Sequence, residues 1–322
     1  MVNQEVHTTS TSNQDIFSKT LEQLAATDTN IVVVTSDSRG SGKLVSFGQK
    51  FPEQHIEVGI AEQNLVGVAA GLASCGKKTF AVSPACFLTA RSFEQIKNDV
   101  AYSNNPVTLV GISAGVSYGA LGSTHHSLHD FAALRAVNNI SIVVPADNFE
   151  TAAAVAYAAN CNAPLYLRFG KKAMPHLQET GTAKFEFGKG RVITEGTDIA
   201  IIACGETVAP AVDAAKKLAT QNIHATVISM HTIKPLDTNL LATVAKTCKA
   251  VITIEEHSVY GGLGEACASY LLQHGIHVAF KIMGIPDEYT VTGSQTEILN
   301  HYGISESGIV DAAVRLIQQK EN

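Results

Sequence analysis

Short, almost continuous apolar runs alternate with stretches of helical periodicity along the first half of the chain. We predict strands at residues 30–36, 78–83, 106–113, 140–146 and 164–170. We predict helices at residues 15–26, 61–74, 87–102 and 148–160. Strands that are apolar on both faces are typical of a parallel sheet covered by helices on both sides. The first half is therefore predicted to form an α/β domain.

A second alternation of the same kind follows a polar, glycine-bearing stretch, "KKAMPHLQETGTAKFEFGKG". Its predicted strands are residues 198–205, 224–230, 250–256 and 277–284, and its predicted helices are 208–221, 237–248 and 264–274. A chain of 322 residues exceeds the usual size of one hydrophobic core. The predicted fold class is thus α/β with two parallel-sheet domains, residues 10–172 and 191–322, joined by a linker at 173–190.

Composition and charge exclude several classes of function. The net charge of -6 is spread along the chain without a basic cluster, so nucleic acid is not an expected partner. No apolar run approaches the roughly 20 residues that span a bilayer, so we expect no membrane crossing. The six cysteines stand singly and the N-terminus lacks a signal pattern. A reducing, cytoplasmic location is expected.

Several polar residues lie where predicted parallel strands end, which is where ligands bind in such sheets. Glu62 stands in "EVGIAEQNLVGVAAG", among small and apolar residues at a predicted helix start. A desolvated carboxylate there would have a raised pKa and could hold a proton. A glutamate that only favours the positive end of the helix dipole fits the pattern equally well. Both interpretations remain open at this point.

The predicted loop "GVSYGALGSTHHSLHD" carries three histidines between a strand and a helix. Loops of this length inside a compact domain are usually functional. His125 and His129 have the spacing of a metal pair on a helix, but no third ligand accompanies them, so no metal site is predicted. We expect His125 and His126 to hydrogen-bond a polar substrate, although a structural role for one of them also fits.

Two further side chains allow both a functional and a structural interpretation. Phe87 could offer its ring to a planar cofactor, but a phenylalanine between a strand and a helix is usually part of the core. Arg168, just outside a buried strand, suits a phosphate or carboxylate. A surface ion pair is the commoner role of an arginine.

Five segments together resemble the C-terminal half of transketolase. They are "EVGIAEQNLVGVAAGLA", "GALGSTHHSLHDFAALRAVNNISIVVPADNFE", "PLYLRFGK", "TIKPLD" and "EEHSVYGGLGEA", and their order matches over essentially the whole chain. The chain most resembles the B subunit of a split transketolase, with a pyrimidine-binding domain before the C-terminal domain. Deoxyxylulose-phosphate synthase and pyruvate dehydrogenase beta subunits are similar too. The resemblance implies a thiamine-diphosphate-dependent transferase that moves a two-carbon ketol unit from a ketose to an aldose.

The resemblance also implies roles for individual residues. Glu62 matches the catalytic glutamate that hydrogen-bonds the cofactor pyrimidine, Phe87 the aromatic residue that stacks on it, and Asp37 an aspartate near the cofactor. On the substrate side His125 matches the catalytic histidine of the family, with His126 beside it. Ser41 and Arg168 match residues that contact substrate phosphate.

Two departures from the family pattern concern the acceptor end of the site. Leu121 stands where ordinary transketolases carry an aspartate, and Ser113 stands where they carry a phosphate-binding histidine. We hypothesise a ketose that is not an ordinary pentose phosphate, for example a branched or sulfonated one.

The family's "GDG" motif for the diphosphate and Mg²⁺ does not occur in this sequence. The resemblance therefore implies an N-terminal-half partner subunit that holds the diphosphate and most of the Mg²⁺ coordination, most simply in an α2β2 heterotetramer. Two alternatives stay open, a beta subunit of a 2-oxo acid dehydrogenase and a non-catalytic regulatory subunit of the same fold.

Overall fold

The computed structural model describes residues 11–177 and 184–321. Among these residues, no helix combines the length and apolar character that a bilayer crossing requires.

Fourteen strands run through the described residues. In chain order they are β1 (Thr11–Ser12), β2 (Ile31–Thr35), β3 (His55–Glu57), β4 (Lys78–Pro84), β5 (Val107–Ile112), β6 (Ser141–Val143), β7 (Leu165–Arg168), β8 (Ala173–Met174), β9 (Arg191–Thr194), β10 (Ile199–Ala203), β11 (Ala225–Ser229), β12 (Thr232–Lys234), β13 (Ala250–Ser258) and β14 (Ala279–Ile285).

Helices cover both sheets. They are α1 (Asn13–Ala25), α2 (Val45–Lys50), α3 (Glu62–Ser74), α4 (Ala85–Arg91), α5 (Phe93–Gln95), α6 (Asp130–Ala136), α7 (Asn148–Ala158), α8 (Val208–Ala219), α9 (Thr238–Thr247), α10 (Leu263–Gln273), α11 (Gln295–His301) and α12 (Glu306–Glu321).

The first sheet has seven strands in the order β12-β6-β7-β5-β4-β2-β3, and the second has five in the order β14-β13-β10-β11-β9. Strands β2 to β7 of the first sheet run parallel to one another, as do β10, β11, β13 and β14 of the second. Antiparallel strands occur at the edges, where β12 pairs with β6 and β9 pairs with β11. The predicted fold class, two parallel-sheet α/β units, is confirmed.

The two halves of the chain share part of their interior. One cluster of buried side chains joins Leu65 and Phe131 of the first half to Ile202 and Leu263 of the second. Strand β12 also belongs to the first sheet, although it lies within residues 191–322. The proposed boundary in sequence therefore does not separate the two sheets completely.

The predicted helix at 87–102 is not continuous. Helix α4 ends at Arg91, and after Ser92 the chain resumes as α5 and then as a wider π-helical segment at Ile96–Tyr102. The Ser92 hydroxyl donates a hydrogen bond to the carbonyl of Leu88, one turn back, and such bonds often bend helices. The apolar periodicity does not reveal this break.

The predicted linker at 173–190 is only partly described, because residues 178–183 lie outside the described ranges. Its first two residues form strand β8, which pairs antiparallel with β1. The linker therefore begins with a short strand that its polar sequence does not predict.

Candidate active site

The carboxyl ends of neighbouring strands bring most of the predicted site residues to one edge of the first sheet. Strands β5, β4, β2 and β3 are consecutive in that sheet and parallel. Ser113 follows β5, Phe87 lies in the helix after β4, and Asp37 follows β2. Glu62 begins the helix that follows β3. The prediction that strand ends assemble the site agrees with this arrangement.

Glu62 is the first residue of α3 and is 4 % exposed. Its Oε1 accepts a hydrogen bond of 2.9 Å from Nη1 of Arg91, at the end of α4. Within the described ranges no partner is found for Oε2. The carboxylate is buried, which the first of the two interpretations requires, but it carries an ion pair that the sequence does not predict.

Phe87 lies under the same arginine. The guanidinium carbon of Arg91 is 4.2 Å from the centroid of the Phe87 ring, a cation–π distance. On another side Phe87 meets the His125 ring edge to face, with centroids 5.3 Å apart. Arg91 and Phe87 therefore connect the carboxylate of Glu62 to the imidazole of His125.

His125 is held by two aromatic rings. Besides Phe87 it meets Tyr118 at a centroid distance of 5.5 Å, and its Nδ1 is 3.0 Å from the hydroxyl of Thr124. The ring is only half-buried, so it keeps access to the site edge.

His126 does not face the site in the manner predicted for a substrate ligand. Its ring is buried, and Nε2 lies 2.9 Å from the carbonyl oxygen of Gly119 in the same loop. Burial lowers the pKa of His126 below its usual range, which favours the neutral ring. His126 therefore stabilises the loop, which is the structural role that the sequence left open.

Ser41 and Ser113 are joined by a residue that the sequence did not single out. In the amide orientation that satisfies both polar atoms, Gln14 donates to the carbonyl of Ser41 at 3.2 Å and accepts from the backbone N–H of Ser113 at 3.0 Å. Ser113 is fully buried and has a φ of 53°, and its hydroxyl lies 3.2 Å from the Gln14 oxygen and near Tyr118. A row of polar side chains therefore leads along the edge of the site to His125. It consists of Ser41, Gln14, Ser113 and Tyr118.

Asp37 has an exposed side chain and a φ of 53°. Its backbone N–H donates to Oε1 of Glu57 at 2.7 Å, and the N–H of Gly59 donates to the same oxygen at 2.9 Å. Glu57 therefore fixes both the Asp37 turn and the segment that leads to Glu62, a function that β-strand periodicity gives no sign of.

Arg168 has partners within the chain that the sequence does not predict. It is 5 % exposed, and its Nε donates to Oδ2 of Asp130 at 2.7 Å. Its Nη2 donates to the carbonyls of Ser127 and Glu256, at 3.2 and 2.8 Å. Burial alone would raise the pKa of Asp130, but the guanidinium of Arg168 outweighs it and holds that pKa below the usual range. Arg168 is a buried cation that ties the histidine loop to the second sheet, and in this structure its charge is neutralised by Asp130.

No cluster of three or more His, Cys, Asp or Glu side chains suited to a metal is found in the described part of the chain. His129, which the sequence paired with His125, is exposed.

The match to known protein families covers most of the chain. The model of "Transketolase, pyrimidine binding domain" matches residues 9–176, and that of "Transketolase, C-terminal domain" matches residues 188–309.

Two curated relatives are each named as the B subunit of an "Apulose-4-phosphate transketolase". The one from Phocaeicola vulgatus is 45 % identical, with 94 % of this chain and 96 % of the relative covered. The one from Actinobacillus succinogenes is 40 % identical, with 89 % of this chain and 92 % of the relative covered. A solved structure described as "Split gene transketolase, inactive beta4 tetramer" superposes with a TM-score of 0.87 at 35 % identity, covering 97 % of this chain and 99 % of that one.

Proposed function

Since the chain belongs to the transketolase family, we propose that it is the B subunit of a split, thiamine-diphosphate-dependent transketolase. The observation that carries the proposal is the continuous contact from Glu62 through Arg91 and Phe87 to His125. A buried carboxylate, an aromatic ring and an accessible imidazole stand together at one sheet edge.

The residues present fit the pyrimidine end of this cofactor. An aminopyrimidine needs a carboxyl group beside a ring nitrogen and an apolar face against the ring. Glu62 offers Oε2, because Arg91 engages only Oε1. Phe87 offers the ring, and Asp37 stands at the end of the neighbouring strand β2. When bound, the cofactor supplies the electron sink that carbanion chemistry requires.

Each candidate side chain of this chain would then have its own role in the reaction. Glu62 holds or accepts a proton at its free oxygen, in a site from which its burial excludes water. His125 exchanges a proton with a sugar oxygen, and the rings of Phe87 and Tyr118 fix its orientation. Arg91 pairs with Glu62 at Oε1 and leaves Oε2 open to a ligand.

We propose a phosphorylated sugar as the substrate class. Two relatives are named for the transketolase that acts on apulose 4-phosphate, and those names support this class. Ser113 and Leu121, at the acceptor end, favour a sugar other than an ordinary pentose phosphate. Ser113 also lies near Tyr118, so uncharged hydroxyl groups stand where the resemblance implies a phosphate-binding histidine.

We also propose that activity needs an N-terminal-half partner, in an α2β2 complex in which the partner holds the diphosphate and Mg²⁺. The resemblance to a split-gene transketolase chain described as an inactive tetramer of beta subunits supports this arrangement. A cytoplasmic location belongs to the same proposal, and the six cysteines, all free, are compatible with it.

Substrate turnover by the assembled complex tests the function. The chain is co-purified with its N-terminal-half partner and supplied with thiamine diphosphate, Mg²⁺, ketose phosphates and aldose acceptors, or in parallel with pyruvate and other 2-oxo acids. We expect ketol transfer only from the ketoses. Turnover of 2-oxo acids instead would identify a dehydrogenase beta chain, and no turnover of either would favour a regulatory role.

A further inference from the structure

Arg168 is almost completely buried, but its contacts with other described residues occupy only part of its guanidinium group. Its Nε donates to Oδ2 of Asp130, and its Nη2 donates to the carbonyls of Ser127 and Glu256. These bonds account for every hydrogen on Nε and Nη2. Nη1, for which the described part of the chain holds no partner, is therefore the nitrogen left for a ligand.

Arg168 stands beside the polar residues of the candidate site, on the neighbouring strand. It ends strand β7, which pairs in parallel with β5, and Ser113 follows β5. The backbone N–H of Ala114 donates to the carbonyl of Phe169 at 3.0 Å, which holds the two strand ends together. A guanidinium at this place suits the phosphate of a sugar substrate.

Asp130 fixes the orientation of this guanidinium. Its carboxylate is fully buried at the start of α6, where Oδ2 accepts from the hydroxyl of Tyr166 at 2.8 Å and from Nε of Arg168 at 2.7 Å. Oδ1 accepts from the N–H of Phe131 at 3.1 Å, and the Phe131 ring lies 4.5 Å from the guanidinium carbon. Because rotation of the guanidinium would break the bonds of Nε and Nη2 together, the carboxylate determines which nitrogen a ligand meets.

We propose that Asp130 is a positioning residue, which holds Arg168 so that Nη1 binds the phosphate group of the sugar substrate. The assignment rests on the proposed function, since it concerns the substrate of the same site. A carboxylate that only neutralised Arg168 would weaken phosphate binding, whereas one that orients it strengthens phosphate binding. The two roles therefore predict opposite effects when the carboxylate is removed.

Asp130→Asn in the assembled complex is the test, because an amide has a single acceptor oxygen and cannot serve the donors on both sides of this carboxylate. We expect D130N to raise KM for a ketose phosphate by about 10- to 100-fold, the effect of one lost charge-assisted hydrogen bond. KM for the same ketose without phosphate, and kcat for both sugars, should stay near the wild-type values. In a chain that also carries Arg168→Met, D130N should add no further loss, because Asp130 acts through Arg168.

Asp147→Asn is the matched control. Asp147 is also buried, its Oδ2 accepts from Nη2 of Arg191 at 2.7 Å, and its Oδ1 accepts from the N–H of Glu150 at 2.8 Å. D147N therefore removes the same charge from the same kind of pair. It should leave the ratio of the two KM values unchanged.

A lower KM for the ketose phosphate in D130N would overturn the assignment, as would equal changes in KM for the two sugars or equal effects of D130N and D147N. If D130N does not assemble with the partner, Tyr166→Phe decides, because it removes only the hydroxyl bond to Oδ2. We expect Y166F to raise KM for the phosphorylated sugar alone, by about 3-fold. An unchanged KM in Y166F would then overturn the assignment.

Calorimetric binding of the ketose phosphate to the same complexes separates these results from a failure of the proposed function. If the wild-type complex binds the sugar phosphate more tightly than D130N but turns over no sugar, the proposed function fails and the role of Asp130 stands. If D130N binds the sugar phosphate as tightly as the wild type, the role of Asp130 is wrong whatever the turnover. If the wild type binds no sugar phosphate, both are wrong.

Discussion

At the scale of single residues, the ion pair between Glu62 and Arg91 explains how a carboxylate is tolerated at a buried helix start. Its removal from water is unfavourable unless a cation and hydrogen bonds compensate. Arg91 provides both, and it also lies on Phe87. The charge that the local sequence leaves ambiguous therefore faces the sheet edge where the other candidate residues gather.

Glu62→Gln keeps the size and the hydrogen-bonding oxygen of the side chain but removes its charge and its ability to hold a proton. We expect kcat of the assembled complex to fall by at least about 100-fold, in the range of a lost acid–base group. Gln63→Ala, one residue along on the exposed surface of α3, should leave kcat unchanged. Steady-state assays measure kcat of both variants, and circular dichroism melts show whether each variant is folded. Near wild-type kcat in a folded E62Q complex would rule out the assigned role.

At the scale of elements, the histidine loop depends on its attachment to the second half of the chain. Oε1 of Glu256 accepts from the N–H of Val116 at 2.7 Å and from Nε2 of Gln295 at 3.0 Å. Gly115, with a φ of 62°, lies so close to Glu256 that an added Cβ would be 2.4 Å from its carboxyl carbon. Glycine is required here by both its conformation and the contact.

Gly115→Ala should destabilise the chain more than Gly76→Ala does. Gly76 also has a positive φ, 84°, but nothing lies within 4 Å of its added Cβ, so it isolates the conformational cost. That cost is about 1–2 kcal/mol, and overpacking against Glu256 should add about 1–3 kcal/mol at Gly115. Urea unfolding measures both free energies. If both variants lost the same free energy of unfolding, the contact between Glu256 and the histidine loop would not contribute to stability.

The elements themselves were largely predictable, whereas their polar contacts were not. The run "NIVVVTS" predicts strand β2 within about one residue at each end, because a strand that is buried on both faces leaves a continuous apolar signal. Gln14 meets Ser113 across 99 positions of sequence. Arg91 meets Glu62 across 29. No local periodicity encodes such pairs.

The ion pair of Arg168 was missed for a related reason. Its place at a strand end was predicted, but the direction of its side chain depends on Asp130, the first residue of helix α6. The sequence does give a signal for Tyr118, because it is the single Phe, Tyr or Trp residue of a loop rich in glycine and histidine. It could therefore have been predicted as a site residue.

At the scale of the whole molecule, two acids of the second half bind the first half, because Glu256 accepts from the N–H of Val116 and Glu206 from the N–H of Lys172. Nε2 of Gln295 donates to Oε2 of Glu206 at 2.6 Å as well as to Glu256. Burial, followed by the charge of Glu256, raises the pKa of Glu206 to about 8. The pKa of Glu256 is also raised, chiefly by burial. The folded chain therefore favours a proton on this pair.

Glu206→Gln should flatten the dependence of stability on pH. Because the pKa of Glu206 rises from 4.5 to about 8 on folding, its contribution is fully present below pH 4.5 and is lost as the pH rises through about 8. Because the glutamine of the variant is always neutral, the free energy of unfolding of the variant should fall less than that of the wild type between pH 4.5 and about 8. Urea unfolding at several pH values measures the slopes. Exposed Glu53→Gln serves as the control, and parallel curves for E206Q and the wild type would contradict the shared proton.

The central claim is that this chain supplies the pyrimidine-binding half of an active site that a partner completes. Calorimetric titration of thiamine diphosphate with Mg²⁺ into this chain alone, into the N-terminal-half partner alone and into their mixture tests it most directly. The account predicts tight, saturable binding with ketol transfer only in the mixture, with both weakened by Glu62→Gln. Equally tight binding together with turnover by this chain alone would contradict it.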